Sequence, residues 1–189
     1  MFQHLLEQIA LSLEALRIPY MVIGGQAVLL YGEPRLTRDI DVALGVGLDR
    51  LADLLRLARE RNWRVLAENP ADFVQKTMVL PCLEPTSGIR VEFIFSFSAY
   101  ERQALDRARR VPVGNARVCF ASVEDIIIHK IVAGRPRDLE DIRNIVAKQQ
   151  PVDLDYVRHW LREFERGLSE KFCERFETIW KPARGPKSV

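Results

Sequence analysis

The sequence predicts an α+β fold, with a small mixed β-sheet, flanking helices and a C-terminal helical extension. Short apolar, β-rich runs alternate with amphipathic stretches up to about residue 121, whereas only helical patterns follow from Ser122 onward. A chain of 189 residues with 48% hydrophobic content can form one sizeable core plus an appended helical piece. We therefore expect a core over residues 1–121 and a helical region packing on it over residues 122–189.

The N-terminal half is expected to alternate helices and strands. Its first helix, over residues 2–17, contains His4, Glu7 and Glu14, which exclude a signal peptide and a membrane span. The other elements expected in this half are a strand at 20–23, a glycine turn at 24–25, a helix at 26–31, a strand at 39–44, a helix at 48–61, and strands near 63–66, 73–80 and 89–95.

The C-terminal half is expected to be mainly helical. A helix from Tyr100 carries the basic segment 100–110, and a strand follows at 116–120. Ser122 begins the next helix as its cap, because an acid follows three residues later. Pro151 marks a boundary, after which Asp153 caps a long helix to Leu168, and a last helix covers residues 170–180.

Two carboxylates separated by one residue, Asp39 and Asp41, lie on a predicted strand. Since side chains alternate along a strand, both point to one face, roughly 6.5–7 Å apart, while Ile40 and Val42 point to the packed face. Two acids held on one rigid surface favour a divalent cation.

A third acid, Glu92, stands in the middle of the apolar run 89–95. If the two strands are neighbours, three carboxylates converge, and like charges about 4 Å apart repel by roughly 4 kcal/mol at an effective dielectric of about 20. Such a cluster needs protons or a metal ion. Oxygen ligands with open positions suit magnesium or manganese, which bind one or two carboxylates plus the phosphates of a substrate.

Other acid and glycine motifs fit less well. An EF-hand counted from Asp39 is excluded, because its fifth, sixth and twelfth positions are Ala43, Leu44 and Arg50. A glycosyltransferase Asp-x-Asp site stays open from the dyad, although only a helix and one strand precede it. The Gly24-Gly25 turn lacks the lysine of a P-loop and the third glycine of a dinucleotide fingerprint.

The glycine turn itself stands between a predicted strand and a predicted helix. Glycines there let backbone N–H groups approach phosphate oxygens, and the helix N-terminus adds partial positive charge. A plain tight turn would show the same two glycines, so Gly24 and Gly25 indicate phosphate binding only together with the acids that follow.

In combination, these residues resemble the nucleotidyltransferase superfamily of polymerase-β type. The chain is similar, more narrowly, to the AbiEii/AbiGii (MenT-like) toxin branch, in which Gly-Gly replaces Gly-Ser. The matching motifs, spread over about residues 15–150, are Gly24-Gly25, the run Arg35-x-Thr37-x-Asp39-Ile40-Asp41-Val42, the strand acid Glu92, a helix with Lys130, and the Arg-x-Arg-Asp-x-x-Asp-Ile stretch at 135–142.

The resemblance implies a role for each matched residue. Asp39 and Asp41 would hold catalytic magnesium or manganese, and Glu92, where the family more often has Asp, would help to activate the attacking group. Lys130 would contact the nucleotide phosphates, and Asp138 would orient a basic neighbour at the nucleotide. The phosphate side would be lined by Gly24, Gly25, Arg35 and Thr37.

Composition and charge say less about function than these motifs do. A net charge of +2 is too small to indicate nucleic-acid binding by itself. The basic segment 100–110, with Arg117, is either a solvated helix face or the place where an RNA acceptor is held through its phosphates. The scattered cysteines, Cys82, Cys119 and Cys173, favour a reducing cytoplasm and no disulfide framework.

The sequence therefore predicts a magnesium-dependent nucleotidyltransferase that moves a nucleoside monophosphate from an NTP, with ATP among the candidates, to an acceptor. The resemblance implies a cytoplasmic toxin of a toxin-antitoxin system, with a tRNA 3′ end or a protein hydroxyl as acceptor and a cognate antitoxin as partner. Two alternatives stay open: an antibiotic-type enzyme with a small-molecule acceptor, and a non-catalytic module that binds a nucleotide or a partner protein.

Overall fold

The computed structural model describes residues 1–33, 37–149 and 151–183. Its architecture is the predicted α+β type, and the strands of the described residues form one mixed seven-stranded sheet in the order β3-β4-β5-β2-β1-β7-β6. The strands are β1 (Tyr20–Ile23), β2 (Asp39–Leu44), β3 (Arg64–Val65), β4 (Val79–Glu84), β5 (Ile89–Phe95), β6 (Arg109–Val113) and β7 (Ala116–Phe120).

Helices precede, interrupt and follow the strands. A short 3₁₀ turn, Leu48–Arg50, leads into the third of them. None of the helices described here has the length and apolar character that spanning a bilayer requires. They are α1 (Phe2–Ala15), α2 (Gly24–Tyr31), α3 (Leu51–Glu60), α4 (Pro70–Thr77), α5 (Ala99–Asp106), α6 (Val123–Ala133), α7 (Pro136–Lys148), α8 (Leu154–Leu168) and α9 (Phe172–Ala183).

The chain divides into two compact units. One comprises Met1–Gln26 and Leu36–Ala121, and the other comprises Ala27–Arg35 and Ser122–Val189. The first contains the whole sheet, and the second contains α6, α7, α8 and α9. The assignment of residues 1–121 as a catalytic core and of 122–189 as a region packing on it stays a prediction.

The centre of the sheet is the mixed arrangement of β1, β2 and β5. β1 pairs antiparallel with β2 and parallel with β7, and β2 pairs parallel with β5. β5 shows why this region is strand: Ile89, Val91, Phe93 and Phe95 alternate with more exposed residues and are at most 3% exposed. One face of the sheet is thus core, and the other is left for polar side chains.

The second unit is built around α6, which packs against α7, α8 and α9. Its isoleucines are almost inaccessible to solvent, and each buried side chain contributes about 1.5–3 kcal/mol of hydrophobic stabilisation. The Ser122 side chain accepts a hydrogen bond from the Asp125 N–H, as its predicted capping role requires. Asp153 caps α8 in the same way, through the Tyr156 N–H at 3.0 Å.

The strand predicted at 73–80 was wrong over its first half. Residues Pro70–Thr77 form α4, and β4 begins only at Val79. The reason is a helix start: the Asn69 side chain accepts a hydrogen bond from the Asp72 N–H, and Pro70 occupies the first helical turn, where its missing N–H costs nothing. This local signal outweighs the β-propensity of Phe73 and Val74.

The basic segment 100–110, predicted to lie on a helix from Tyr100 and the helix exit, is helical only in part. α5 ends at Asp106, and Arg109 and Arg110 belong to β6, which pairs antiparallel with β7. The β6–β7 connection is a tight hairpin at Gly114-Asn115, and the half-buried Val111 and Val113 alternate with the exposed Arg110 and Pro112, which is strand periodicity. The positive charge of this segment is therefore divided between α5, which carries Arg102, and the hairpin, which carries Arg109 and Arg110.

Replacement of Tyr156 by Phe should destabilise the second unit. Asp125 is fully buried, and its carboxylate accepts hydrogen bonds from Ser122 Oγ at 2.5 Å and Tyr156 Oη at 2.8 Å. Loss of a bond to a buried carboxylate should lower the free energy of unfolding by about 1–3 kcal/mol in urea denaturation. Tyr20→Phe is the control, because the Tyr20 hydroxyl accepts a hydrogen bond from a neutral group, the Cys119 N–H, at 3.3 Å. An equal loss of unfolding free energy in both variants would contradict the stabilising role of the bond to Asp125.

The β4–β5 turn should lose stability in acid because of Glu84. Hydrogen bonds from Ser87 and Thr86 lower the pKa of this carboxyl from 4.5 to about 2. Its stabilising effect should therefore be complete above pH 4.5 and disappear as the pH falls through 2. In urea titrations from pH 6 to pH 2, Glu84→Gln should be less stable than the unsubstituted protein, by a difference that shrinks toward zero at pH 2. For the control Glu68→Gln, at an exposed loop position, the difference in stability should not shrink with pH in this way.

Candidate active site

Strand pairing brings the predicted strand acids together. In the parallel pair of β2 and β5, Asp41 is the register partner of Glu92, and Asp39 is the partner of Arg90. Register partners on neighbouring strands point to the same face, so Asp39, Asp41 and Glu92 share one face of the sheet. The opposite face carries Ile40, which is fully buried in the core.

The carboxylates on this face are accessible. Asp39 is exposed and Asp41 is half-buried, while the Glu92 side chain retains 34% of its exposure. Arg90 shares the face, and its Nη2 lies 3.8 Å from Glu92 Oε1. This arginine was not singled out from the sequence, although its position two residues before Glu92 is the strand spacing that places both on one face.

Gly24 lies directly against the dyad. Ile23, the last residue of β1, pairs with Asp41, so the chain passes over the aspartate as it turns into α2. Gly24 has a φ of +62°, and a Cβ at this position would overlap the carboxylate oxygen Oδ2 of Asp41. A residue without a side chain is therefore required both for the turn and for the space that the Asp41 carboxylate occupies. Gly25 follows in the first turn of α2.

Thr37 is held in place by a residue that the sequence did not single out. The Gln26 side chain donates a hydrogen bond from Nε2 to Thr37 Oγ1 at 2.6 Å, and both residues are buried. This bond ties the segment that enters β2 to the first turn of α2. Arg35, predicted for the phosphate side, lies outside the described residues.

The predicted residues of the second unit form a buried ionic trio. Lys130 Nζ lies 2.8 Å from Asp138 Oδ1 and 2.7 Å from Asp141 Oδ2, and the side chains of the three residues are 6%, 15% and 5% exposed. From the sequence, Asp141 was part of the matched stretch at 135–142 but was given no role of its own. Its spacing of three residues from Asp138 on α7, which places both on one helix face, is the signal that pairs it with Lys130.

The arrangement can be tested against the chemistry of a divalent ion. Within residues 1–33, 37–149 and 151–183, no group of three or more His, Cys, Asp or Glu side chains could hold a metal ion. Magnesium, however, usually takes only one or two protein carboxylates and fills its shell with water and substrate phosphates. Asp39 and Asp41 offer the oxygen donors that it prefers, so the donor set fits this ion, and the ligand roles of Asp39, Asp41 and Glu92 remain predictions.

Solved structures with a similar fold include an antibiotic-resistance factor and a nucleotidyltransferase-like protein. The antibiotic-resistance factor ANT(2″)-Ia in solution aligns with a TM-score of 0.61 at 16% identity, covering 88% of this chain and 94% of its own. Its crystal structure with adenylyl-2″-tobramycin gives 0.60 at 17%, covering 85% and 97%. An antigenic nucleotidyltransferase-like protein from Paracoccidioides brasiliensis gives 0.56 at 18%, covering 95% and 91%.

Likeness at this level of identity establishes the fold and no more. No curated protein matches the sequence. The family comparison is the more informative one, because the match extends over residues 1–182, from α1 into α9. The chain belongs to the DUF6036 family, described as nucleotidyltransferases of unknown function.

Proposed function

We propose that this protein is a nucleotidyltransferase that uses magnesium or manganese to move a nucleoside monophosphate from an NTP to an acceptor hydroxyl. The observation that carries the proposal is the in-register placement of Asp41 and Glu92 on one sheet face, with Asp39 two residues away and Gly24 against the dyad. The face is accessible, and its carboxylates offer the oxygen chemistry that a divalent ion and a phosphate substrate need.

In this proposal the carboxylates have different roles. Asp39 and Asp41 hold the ion, which when bound would polarise the α-phosphate and neutralise charge that develops on its oxygens. Glu92 accepts the proton of the acceptor hydroxyl. The acceptor oxygen then forms a bond to the α-phosphorus, the bond from that phosphorus to the bridging oxygen breaks, and pyrophosphate leaves.

The other predicted residues would act on the triphosphate. Gly24 and Gly25 bring backbone N–H groups of the first turn of α2 to an anion, an arrangement that helix N-termini favour. By resemblance to the family, Thr37, Arg35 and Lys130 would contact the phosphates.

A more specific proposal concerns the biological role of the protein and the class of acceptor. By resemblance to the AbiEii/AbiGii (MenT-like) branch, we infer a cytoplasmic toxin with a cognate antitoxin, acting on tRNA 3′ ends or on protein hydroxyls. Within this proposal, residues 1–121 are the catalytic core and 122–189 the helical region packing on it. The guanidinium groups of Arg110 and Arg117, exposed on the β6–β7 hairpin, would support a phosphate-bearing acceptor.

A second candidate is transfer to a small molecule. The observation that favours it is the fold likeness to ANT(2″)-Ia, whose crystal structure contains adenylyl-2″-tobramycin and whose length is matched over 97%. A small-molecule acceptor would require the same Asp39, Asp41 and Glu92 chemistry and would differ only in what lines the acceptor side.

Replacement of Asp41 by Asn should abolish transfer. The change keeps the size of the side chain and removes the charge that holds the ion, so the rate should fall by at least a hundredfold. The assay incubates purified protein with each α-labelled NTP, magnesium, and either total tRNA or a cell protein extract. Asp49→Asn, at an exposed position of the same unit, is the matched control and should retain the wild-type rate.

The acceptor on which label appears decides between the proposals. Label on tRNA or protein that depends on Asp41 would support the toxin-type reaction and name the base. Label on neither, with transfer to an aminoglycoside, would favour the small-molecule enzyme. NTP binding without transfer to any of these would favour the non-catalytic module, and equal rates for Asp41→Asn and the unsubstituted protein would contradict the assignment of the site.

Gly24→Ala should be more damaging than the same change at Gly88. Both glycines have a positive φ, +62° and +69°, so each alanine carries a similar backbone strain of about 1 kcal/mol. At Gly88 no heavy atom lies within 4 Å of the added Cβ, whereas at Gly24 it would displace the Asp41 carboxylate. Urea denaturation should give the larger loss for Gly24→Ala, and the labelled-NTP assay should show loss of transfer for this variant alone.

A further inference from the structure

The sheet continues past Glu92 on the side away from the aspartates. The dyad on β2 and Gly24 after β1 lie on one side of β5, and β4 and β3 lie on the other. In nucleotidyl transfer the attacking oxygen and the leaving pyrophosphate are roughly in line, on opposite sides of the α-phosphorus. With the triphosphate held at the dyad and Gly24, the acceptor reaches Glu92 from the side of β4 and β3.

Strand register identifies the side chains on that side of the face. Pro81 on β4 is the register partner of Glu92. Leu83, also on β4, is the partner of Arg90, and Arg64 on β3 is in turn the partner of Leu83. Register partners point to the same face of a sheet, so these side chains extend the face that carries the carboxylates.

The charged side chains that β5 and β3 add to this side are positive. The Arg90 side chain is 55% exposed, and Arg64 is exposed as well. Neighbouring strands lie about 4.8 Å apart, so the two arginines, which are separated by one strand, project from positions roughly 10 Å apart. The residue between them is the half-buried Leu83. A molecule that approaches Glu92 from β3 and β4 therefore meets two guanidinium groups.

The two guanidinium groups favour an anionic acceptor. A polycationic small molecule such as an aminoglycoside would place ammonium groups beside like charges, which is unfavourable, and in the proposed reaction the divalent ion compensates the carboxylates nearby. A phosphate, by contrast, suits the planar guanidinium group, which binds it through two parallel N–H···O bonds. The acceptor side thus fits a phosphate-bearing molecule.

The spacing of Arg90 and Glu92 suits the end of a nucleic-acid strand. Residues two apart on a strand are roughly 6.5–7 Å apart, and Arg90 Nη2 lies 3.8 Å from Glu92 Oε1. A guanidinium group has five N–H donors, so Arg90 can contact Glu92 and a phosphate at the same time. In a nucleic acid, the terminal ribose hydroxyl and the nearest phosphate are separated by a single sugar. A hydroxyl at Glu92 thus brings that phosphate within reach of Arg90.

Apolar side chains lie beside the arginines. The Leu66 N–H donates a hydrogen bond to the Pro81 carbonyl at 2.9 Å, and Leu66 is 37% exposed. Together with Leu83, it offers apolar contact to the uncharged sugar and base of a terminal nucleotide. A protein hydroxyl brings no phosphate of its own, so a protein acceptor would leave both guanidinium groups without the anion that they bind best.

We propose that Arg90 and Arg64 bind phosphates at the end of a nucleic-acid strand and so hold its terminal ribose hydroxyl beside Glu92. The inference rests on the proposed nucleotidyltransferase function and adds to it the residues that select the acceptor. Arg90 and Arg64 are then specificity-determining residues, and binding of the NTP does not depend on either of them.

The first experiment measures the Kd of total tRNA and of a short oligoribonucleotide at several salt concentrations. Each phosphate contact to a single strand contributes about 0.7 to the slope of log Kd against log salt concentration. Arg90→Ala and Arg64→Ala should each lower this slope by about that amount and weaken binding about tenfold. Arg90→Lys keeps the charge and should keep the slope, and the Kd of the NTP should stay unchanged in all three variants.

The second experiment uses the same oligoribonucleotide with an uncharged methylphosphonate in place of its last phosphodiester. In the labelled-NTP assay this change should raise the acceptor KM about tenfold for the unsubstituted protein. For Arg90→Ala the two acceptors should have nearly equal KM, because the contact is already lost. If Arg90 only positions Glu92, its replacement lowers kcat equally for both acceptors and leaves the KM ratio unchanged, which would overturn the inference.

Arg59→Ala is the matched control. Arg59 is an exposed arginine of the same unit, on α3, and its Nε donates a hydrogen bond to the Leu55 carbonyl of its own helix. This variant loses the same charge and should keep the salt slope, the acceptor KM and the response to the methylphosphonate of the unsubstituted protein. Since Arg90 and Arg64 are exposed too, their variants are expected to fold.

The outcomes separate this inference from the function on which it rests. If the unsubstituted protein transfers no nucleotide to any acceptor, the proposed function and this inference both fail. If label appears on protein or on an aminoglycoside but never on RNA, the proposed function stands and this inference alone is overturned. An unchanged salt slope in both alanine variants, or a methylphosphonate effect that persists in Arg90→Ala, would overturn it as well.

Discussion

The parallel pairing of β2 with β5 is the constraint on which the candidate site depends. A shift of one residue between these strands would turn Glu92 into the core and Val91 toward the aspartates, because side chains alternate with a period of two. Val91 and Ile40 are fully buried, so such a shift would expose apolar surface and bury a charge at the same time. The hydrophobic face of the sheet therefore fixes the position of the carboxylates on the other face.

The surroundings of the acids strengthen their electrostatics. Across the sheet, the residues in line with Asp41 and Glu92 are Ile23 on β1 and Pro81 on β4. Pro81 is buried and Ile23 is half-buried, so apolar groups flank the carboxylate pair on both sides. Apolar neighbours lower the local dielectric, so a charge beside the pair would interact with it more strongly than on a fully polar surface. A cation held there, as proposed, would gain from these apolar neighbours as well as from the carboxylates.

The sequence predicted the strands of the site well, because their patterns are local. The predicted bounds of β2 and β5 agree with the structure, since each is a short apolar run with alternating polar residues. That these two strands are neighbours was assumed and not predicted, because the sequences of 39–44 and 89–95 do not indicate which strand each one pairs with. α4 was missed because the cap at Asn69 was not recognised, and β6 because its arginines were assigned to the preceding helix and the helix exit.

The ionic trio shows that contacts between different elements could not be predicted from the sequence. Lys130 and Asp138 were singled out by resemblance, but Asp141 as a second counter-ion required the packing of α6 on α7. Gln26, which binds Thr37, was likewise read only as part of a helix. Contacts between residues far apart in sequence depend on how elements pack, and the spacing of residues within one element does not reveal them. The functional roles of the site residues rest on the family resemblance and on the experiments described above.

The β6 strand has a consequence for how this chain meets other proteins. β6 is the edge of the sheet, and an edge normally offers free N–H and C=O groups to a strand from another molecule. Here the edge carries two exposed arginines, Arg109 and Arg110, and Pro112, which has no N–H to donate. The opposite edge, β3, is only two residues long. The sheet therefore resists extension by a foreign strand, and a molecule that approaches β6 has to be recognised through arginine side chains, which disfavours self-assembly by strand exchange.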